Sequence, residues 1–402
     1  MPKKIFIAAF QQSKFGKLMG MTIPGIVDTA VRDTFSSIGA DPALAGVASI
    51  GACCSIALHE QGLLAGLVAM TPGLSGKPIE TVENACATGG QAILSVARKL
   101  LLGEGEVGLA VGFEKMRDTE GKVDGPLVAR ALTSYTHPDE RIGKVSVVPH
   151  LFAEVMEAYM KAYGVTERDL AAIAVQEYAN ARSNPFAQMQ KNDVTLEKAL
   201  AIEGINRYVV DGLPLKTYDC SQITDGWAGM VLATEEGLAR LGMAKRDTVR
   251  LAGFGQATDP LKKEGRDVLR PAGALEAMRK AYAMAGLCPD DVNVAEVHDC
   301  FTVMGAIGAE VIGKAEVGQG ARYWVEGKAA PDGACGINTS GGLIAKGHPI
   351  GATGISMVGW CAWQLLGKAP APLQVKNVRA AATFNIGGPI CASVCTVLTP
   401  GA

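Results

Sequence analysis

Charged and aromatic residues are scarce in this sequence. Only 19% of its 402 residues are Asp, Glu, Lys or Arg and 5% are Phe, Trp or Tyr, against 48% hydrophobic. That balance excludes a disordered chain, which lacks apolar surface to bury. A formal net charge of −2 leaves no footprint for nucleic acid or an anionic membrane surface. No apolar run approaches the length of a bilayer span. The N-terminal stretch Ile5 to Phe10 gives way to Gln11-Gln12-Ser13-Lys14, too soon for a secretory core, and reads as a first β-strand. The C-terminus is not a Ser-Lys-Leu address, so the expected compartment is the cytoplasm. CxxC pairs are also missing: Cys53 and Cys54 are adjacent, and Cys391 and Cys395 are four apart. No metal site is therefore expected, and the ten cysteines read as reduced thiols. No GxxxxGK[ST] pattern occurs, which excludes a P-loop.

What is abundant is Gly, at 49 residues, suited to tightly packed α/β layers. The length allows two or three domains, or one large core with an insertion. An internal repeat favours the second arrangement. Ile26, Val27, Ala30, Val31, Phe35 and Ile38 have helical spacing and run through Gly39-Ala40-Asp41-Pro42 into an apolar strand, 47–53. Leu275, Met278, Tyr282 and Ala285 repeat that helix, Gly286 to Pro289 break it, and the strand 292–297 follows. Cys86 then enters a helix carrying Ile93, Leu94, Ala97, Leu100 and Leu101, followed by a buried strand, 107–112. Its counterpart runs from Gly341 to Gly354, through a helix past Met357 and Leu365, into strands 380–384 and 392–398. Strands alternating with amphipathic helices imply mostly parallel sheets covered on both faces. Between the halves the pattern becomes helical. Thr166-Glu167-Arg168-Asp169 is a capping box, and Asn184-Pro185 ends the helix that it starts. The expected division is an N-terminal half, 1–116, an inserted domain covering the substrate, 117–246, and a C-terminal half, 247–402.

Four segments carry candidate chemistry. Cys86, in Glu83-Asn84-Ala85-Cys86-Ala87-Thr88-Gly89-Gly90, lies at a strand-to-helix turn. Unpaired amides and the helix dipole there would favour thiolate and hold an oxyanion. Read alone, nucleophile and buried core thiol are evenly balanced. His348 follows Lys346-Gly347 and precedes Pro349-Ile350-Gly351, a glycine-rich loop in which a neutral imidazole can take a proton from a thiol. His298 and Cys300 sit in Glu296-Val297-His298-Asp299-Cys300-Phe301 at the C-terminal end of a strand, where open α/β sheets form sites; packing explains them equally well. Phe384-Asn385-Ile386-Gly387-Gly388 alone reads as an ordinary hairpin turn.

In combination, Asn84 to Gly90, the Gly347-His348-Pro349-Ile350-Gly351 loop and the duplicated halves resemble the thiolase superfamily over essentially the whole chain. His298-Asp299-Cys300-Phe301 and Asn184-Pro185-Phe186-Ala187-Gln188 are closer to the sterol-carrier-protein-type thiolases than to those with Asn-Glu-Ala-Phe in that loop. The resemblance implies an α/β fold of two βαβαβαββ-type halves layered α-β-α-β-α, with an inserted, mainly helical loop domain. It implies cleavage of a 3-oxoacyl-CoA by coenzyme A, or the reverse Claisen condensation, as in β-oxidation and other lipid metabolism. Cys86 would carry the acyl group and His348 would activate it. The amides of Cys86 and Gly387 would hold one oxyanion, and His298 with His348 the enolate oxygen. Cys300 would shuttle the α-proton, because Asn385 replaces the acid/base cysteine that ordinary thiolases supply from Cys-x-Gly in the last hairpin. Cys391 and Cys395 are read as strand packing. Ser221 and Phe301 match positions lining the pantetheine channel. Coenzyme A enters as substrate and no cofactor is implied. A homodimer or dimer of dimers is expected, and some relatives need a small OB-fold, zinc-binding partner. No fused lipid-carrier domain is read, so lipid transfer is not expected. The rival readings are another Claisen-condensing enzyme, such as a ketoacyl synthase, and a partner-dependent subunit.

Overall fold

Ile7 of the first strand, with Ile5 just before it, faces one apolar layer while Phe6 and Ala8 face another, the two-residue period of a strand buried on both sides. The computed structural model describes residues 3–144 and 147–402. The N-terminal half contributes β1 (Phe6–Gln12), β2 (Val47–Gly51), β3 (Ile79–Val82), β4 (Val107–Glu114) and β5 (Gly226–Ala233). The C-terminal half contributes β6 (Val249–Thr258), β7 (Val294–Val297), β8 (Gly336–Ile337), β9 (Ala381–Gly387) and β10 (Ala392–Pro400). Strand order is β3-β2-β4-β5-β1-β6-β10-β9-β7-β8. Renumbering the second half from its own first strand turns β6-β10-β9-β7-β8 into the reverse of β3-β2-β4-β5-β1, which establishes the duplication. The halves meet through a short antiparallel pairing of Phe6 with Arg250 and Ile7 with Val249.

Each half is mixed, which corrects the expectation of mostly parallel sheets. β2 lies parallel to β3 and β4, and β7 parallel to β8 and β9. β5 runs antiparallel to β4 and β1, and β10 to β9 and β6. The short turn between β9 and β10 permits only an antiparallel return.

Five layers follow from which face of each helix is apolar. The Ile23–Ser36 helix, capped by Thr22, covers the outer face of the N-terminal sheet, and the Ala272–Ala285 helix covers that of the C-terminal sheet. The Thr88–Leu102 and Ile350–Leu365 helices fill the space between the sheets. They approach through glycine: a Cβ on Gly354 would lie 2.1 Å from the Gly90 nitrogen, and one on Gly89 would lie 2.8 Å from the Gly351 oxygen. This contact brings the start of the Cys86 helix against the start of the His348 helix.

The helical excursion after β4 contains the Gly125–Thr133, Val147–Tyr163 and Glu167–Arg182 helices, the last with the expected Thr166–Asp169 capping box. It returns to the N-terminal sheet at β5, so it spans 117–225 and the expected boundary at 246 moves back. The Gly-Trp-Ala-Gly-Met-Val-Leu-Ala run of β5 pairs with both β4 and β1, a long-range partnership without a local signal.

Candidate active site

Cys86 stands immediately before the Thr88–Leu102 helix, after Ala85 in a left-handed conformation (φ +47°) that turns the chain sharply out of the strand. Its sulfur and one ring nitrogen each of His298 and His348 lie within 4.8 Å of one another. The two imidazoles meet edge to face, with centroids 5.0 Å apart. The structure thus brings together three of the four expected catalytic residues. Cys300, beyond that close group, is buried on the wall of the same cavity.

Hydrogen bonding assigns the histidine tautomers. The Asn385 amide nitrogen donates to the Cys86 carbonyl oxygen at 3.0 Å, which fixes the orientation of the amide, and it lies 2.9 Å from His298 Nδ1. Nδ1 of His298 must then accept, so its proton sits on Nε2, a buried atom with no protein partner. At His348 the logic reverses. The Thr353 hydroxyl donates to the Pro349 oxygen at 3.0 Å, so His348 Nδ1, 2.7 Å from Thr353 Oγ1, must be the donor. His348 Nε2 is left with a lone pair. One imidazole therefore presents an N–H donor and the other a base.

Burial keeps both rings neutral. It pushes His348 down to about 3, and with His348 nearby it holds His298 well below the usual imidazole range. The same burial, reinforced by the Glu114 carboxylate, pushes the Cys86 thiol up to about 12, while the amides of Gly388 and Cys86 itself oppose the rise. The expectation of a stabilised thiolate is corrected: at rest the group is a thiol, because desolvation outweighs the amides at the helix start. Burial likewise raises Cys300.

Gly387, whose amide is expected in the oxyanion site, lies against the Cys86 turn: a Cβ on it would lie 2.2 Å from the Asn84 oxygen. Gly387 ends β9, and Gly388 follows it in a left-handed conformation (φ +61°). Cys391 donates its thiol to the Asp259 oxygen at 2.9 Å, and Cys395 is buried in β10, both packing positions.

Several residues that were assigned no role in the site hold these groups in place. Glu114, at the end of β4, accepts from the amides of Cys53, Cys54 and Gly351, and burial raises it to about 7. Asp299 accepts from the amides of Leu343 and Ile344 and lies against Glu177 of the insertion, which is held by Asn338. This buried cluster ties the His298–Cys300 loop to the turn leading to His348. Asn184 donates to the Ser340 oxygen and Gln188 accepts from Thr224, whose hydroxyl oxygen receives the His348 amide. The Asn184–Gln188 motif thus clamps the histidine loop. A fully buried Glu177 on an otherwise apolar helix face was the available signal for its cluster.

A cavity of about 380 Å³ opens over Cys86, walled by the Gly125–Thr133 and Val147–Tyr163 helices and floored by Cys86, His298, Cys300 and His348. Ser221 lines it and donates its amide to the Cys300 oxygen; Phe301 lines it stacked on Phe152 at 4.6 Å. Among the described residues no helix is long and apolar enough to cross a membrane.

Residues 5–236 match the family model of the thiolase N-terminal domain, and residues 255–400 match the thiolase C-terminal domain-like model. An acetyl-CoA acetyltransferase of Methanothermobacter thermautotrophicus is 33% identical over 96% of this chain and 97% of its own length. Human sterol carrier protein 2 is 32% identical over 78% of this chain, which spans 57% of that protein. The benzoylsuccinyl-CoA thiolase subunit BbsB of Thauera aromatica is 30% identical over 96% of this chain and 95% of its own. Among solved structures, an Ltp2–ChsH2(DUF35) aldolase superposes with a TM-score of 0.80 at 20% identity, covering 100% of this chain and 98% of that one. Human mitochondrial 3-ketoacyl-CoA thiolase superposes at 0.71 and 17% identity, covering 100% and 99%. The structural likenesses show a shared fold. The thiolase domains and the acetyl-CoA acetyltransferase relatives make the chain an acyltransferase. The chain belongs to the thiolase family.

Proposed function

We propose that this thiolase cleaves a 3-oxoacyl-CoA with coenzyme A through an acyl-Cys86 thioester, the observation carrying the reading being one thiol within reach of two neutral imidazoles in opposite tautomers. His348 Nε2 takes the Cys86 proton as sulfur attacks the 3-keto carbon, and the Cys86 and Gly387 amides hold the resulting oxyanion. The C2–C3 bond then breaks. His298 Nε2–H and protonated His348 hold the enolate oxygen of the departing acetyl-CoA, while Cys300 gives its proton to C2. Coenzyme A next yields its thiol proton to the Cys300 thiolate and attacks the acyl carbonyl. Cys86 leaves and recovers its proton from His348. Run backward, the same groups perform the Claisen condensation. The pantetheine arm passes Ser221 and Phe301, coenzyme A is a substrate, and no cofactor takes part. Human mitochondrial 3-ketoacyl-CoA thiolase also has a structure in complex with CoA, which supports that use of the cavity.

A simple acyl-CoA should label wild type and Cys300→Ala by intact mass, whereas Cys86→Ala should stay unlabelled. Cys300→Ala should lose cleavage of 3-oxoacyl-CoA; full thiolysis by that variant would remove Cys300 from the mechanism. A role in β-oxidation fits the cleavage direction. Ten free cysteines support a cytoplasmic, reducing setting. A homodimer is supported by the edge of β3, which among the described residues pairs only with β2, beside exposed Leu63 and Met70. Light scattering tests the homodimer, and a dimer of dimers is the larger assembly to be distinguished. The second reading is a required partner of small OB-fold type. It is favoured by a relative named as a subunit and by a fold neighbour solved as a complex with a DUF35 protein. Co-purification with thiolysis assayed before and after separation distinguishes the two.

A further inference from the structure

We propose that the acyl group carried by Cys86 is uncharged, apolar and larger than acetyl, and that acyl chains ending in a carboxylate are rejected. This rests on the thiolase reading and names its substrate class. The described residues lining the cavity include no Asp, Glu, Lys or Arg. Six cations in segments next to the lining residues are already committed. Arg117 is held by the oxygens of Gly16 and Ile223 and by Asp225. Arg266 is held by the oxygens of Pro389 and Ile390, and Arg141 by those of Ser134 and Thr136. Lys144 and Lys263 both pair with Glu154, and Lys216 pairs with Glu167 and Asp219.

Most polar side chains on the wall, the Ser221 hydroxyl apart, are committed too. The hydroxyls of Tyr135, Thr133 and Thr136 donate to the oxygens of Cys53, Ala129 and Thr133, and the Gln222 amide donates to those of Thr217 and Cys220. A carboxylate entering here would lose its water and meet no cation, and beyond the Ser221 hydroxyl and the His298 Nε2–H that the reaction itself uses it would find few donors, which disfavours it strongly. Around Cys86 itself the packing is with Met116, Leu132, Tyr135, Ile223 and Ile350, an apolar surface that an acetyl group alone would leave mostly uncovered.

The test compares three substrates for the purified full-length protein with coenzyme A: acetoacetyl-CoA, 3-oxohexanoyl-CoA and 3-oxoadipyl-CoA. The last two share a six-carbon chain and differ in ending in methyl or carboxylate. The expected kcat/KM for 3-oxohexanoyl-CoA exceeds that for 3-oxoadipyl-CoA by about 100-fold or more, given the cost of an unpaired carboxylate. It exceeds that for acetoacetyl-CoA by roughly fourfold per added methylene. Labelling of Cys86 by hexanoyl-CoA against succinyl-CoA, read by intact mass, reports the same preference without carbon–carbon chemistry. Thr133→Lys, placing a cation on the wall, should narrow the preference. Equal cleavage or equal labelling of the charged and uncharged acyl groups overturns the inference and leaves the thiolase reading standing. Selective labelling without cleavage of any 3-oxo substrate upholds the inference and refutes thiolysis.

Discussion

Replacing Thr353 with Val tests the base at His348 at almost constant shape. The hydroxyl of Thr353 accepts the His348 Nδ1 proton at 2.7 Å because its own proton is directed to the Pro349 oxygen. Removing it frees the ring to carry its proton on Nε2, where it cannot receive one from Cys86. The imidazolium formed during attack also loses its charge-assisted partner. Hydrogen bonds to charged groups contribute about 1.5–3 kcal/mol. At 1.36 kcal/mol per tenfold, acylation should slow by roughly 10- to 150-fold. Pro349 keeps the amides of Ala352 and Thr353 as donors, so the stability cost should stay near one buried hydrogen bond, about 1 kcal/mol. Rapid-quench measurement of acyl-Cys86 formation from an acyl-CoA reads the effect, and a denaturation curve reads the fold. Thr353→Ser, which keeps the hydroxyl, should recover most of the rate. A folded Thr353→Val enzyme acylating within twofold of wild type would refute the tautomer assignment.

Two further perturbations separate the remaining parts of the site. Asn385→Leu removes the donor that fixes His298. It should slow carbon–carbon cleavage about tenfold, the worth of one oriented hydrogen bond, while changing acylation of Cys86 less; equal slowing of both steps would argue against it. Glu114 is raised to about 7 by burial, so the folded state binds its proton more tightly than the unfolded state does. Its contribution is complete below its unfolded value of 4.5 and is lost as pH rises towards 7, about 3 kcal/mol in all. Urea unfolding at both ends of that window should show a smaller loss of stability in Glu114→Gln than in wild type. Parallel losses would assign the pH dependence to other buried acids.

The linear order of residues determined a great deal. Helical and strand periods marked the repeated units, because each element is buried on defined faces and its apolar spacing records that burial. Cys86, His348, His298 and Cys300 were legible as candidates because each stands at an element end beside glycine or a strand terminus. Their company, and not any one of them, identified the family. Other features depended on tertiary contact. β5 joins β4 and β1 across more than a hundred residues of intervening chain, so its antiparallel direction and the end of the insertion at 225 had no local signature. Glu114 and Glu177 acquire their roles from amides and carboxylates brought from distant segments. The charge state of Cys86 was likewise decided in three dimensions: a helix start favours thiolate locally, but desolvation and the nearby Glu114 carboxylate outweigh it once the halves close. Sequence determined which groups are available for the chemistry; the folded structure decided which atoms hold the protons.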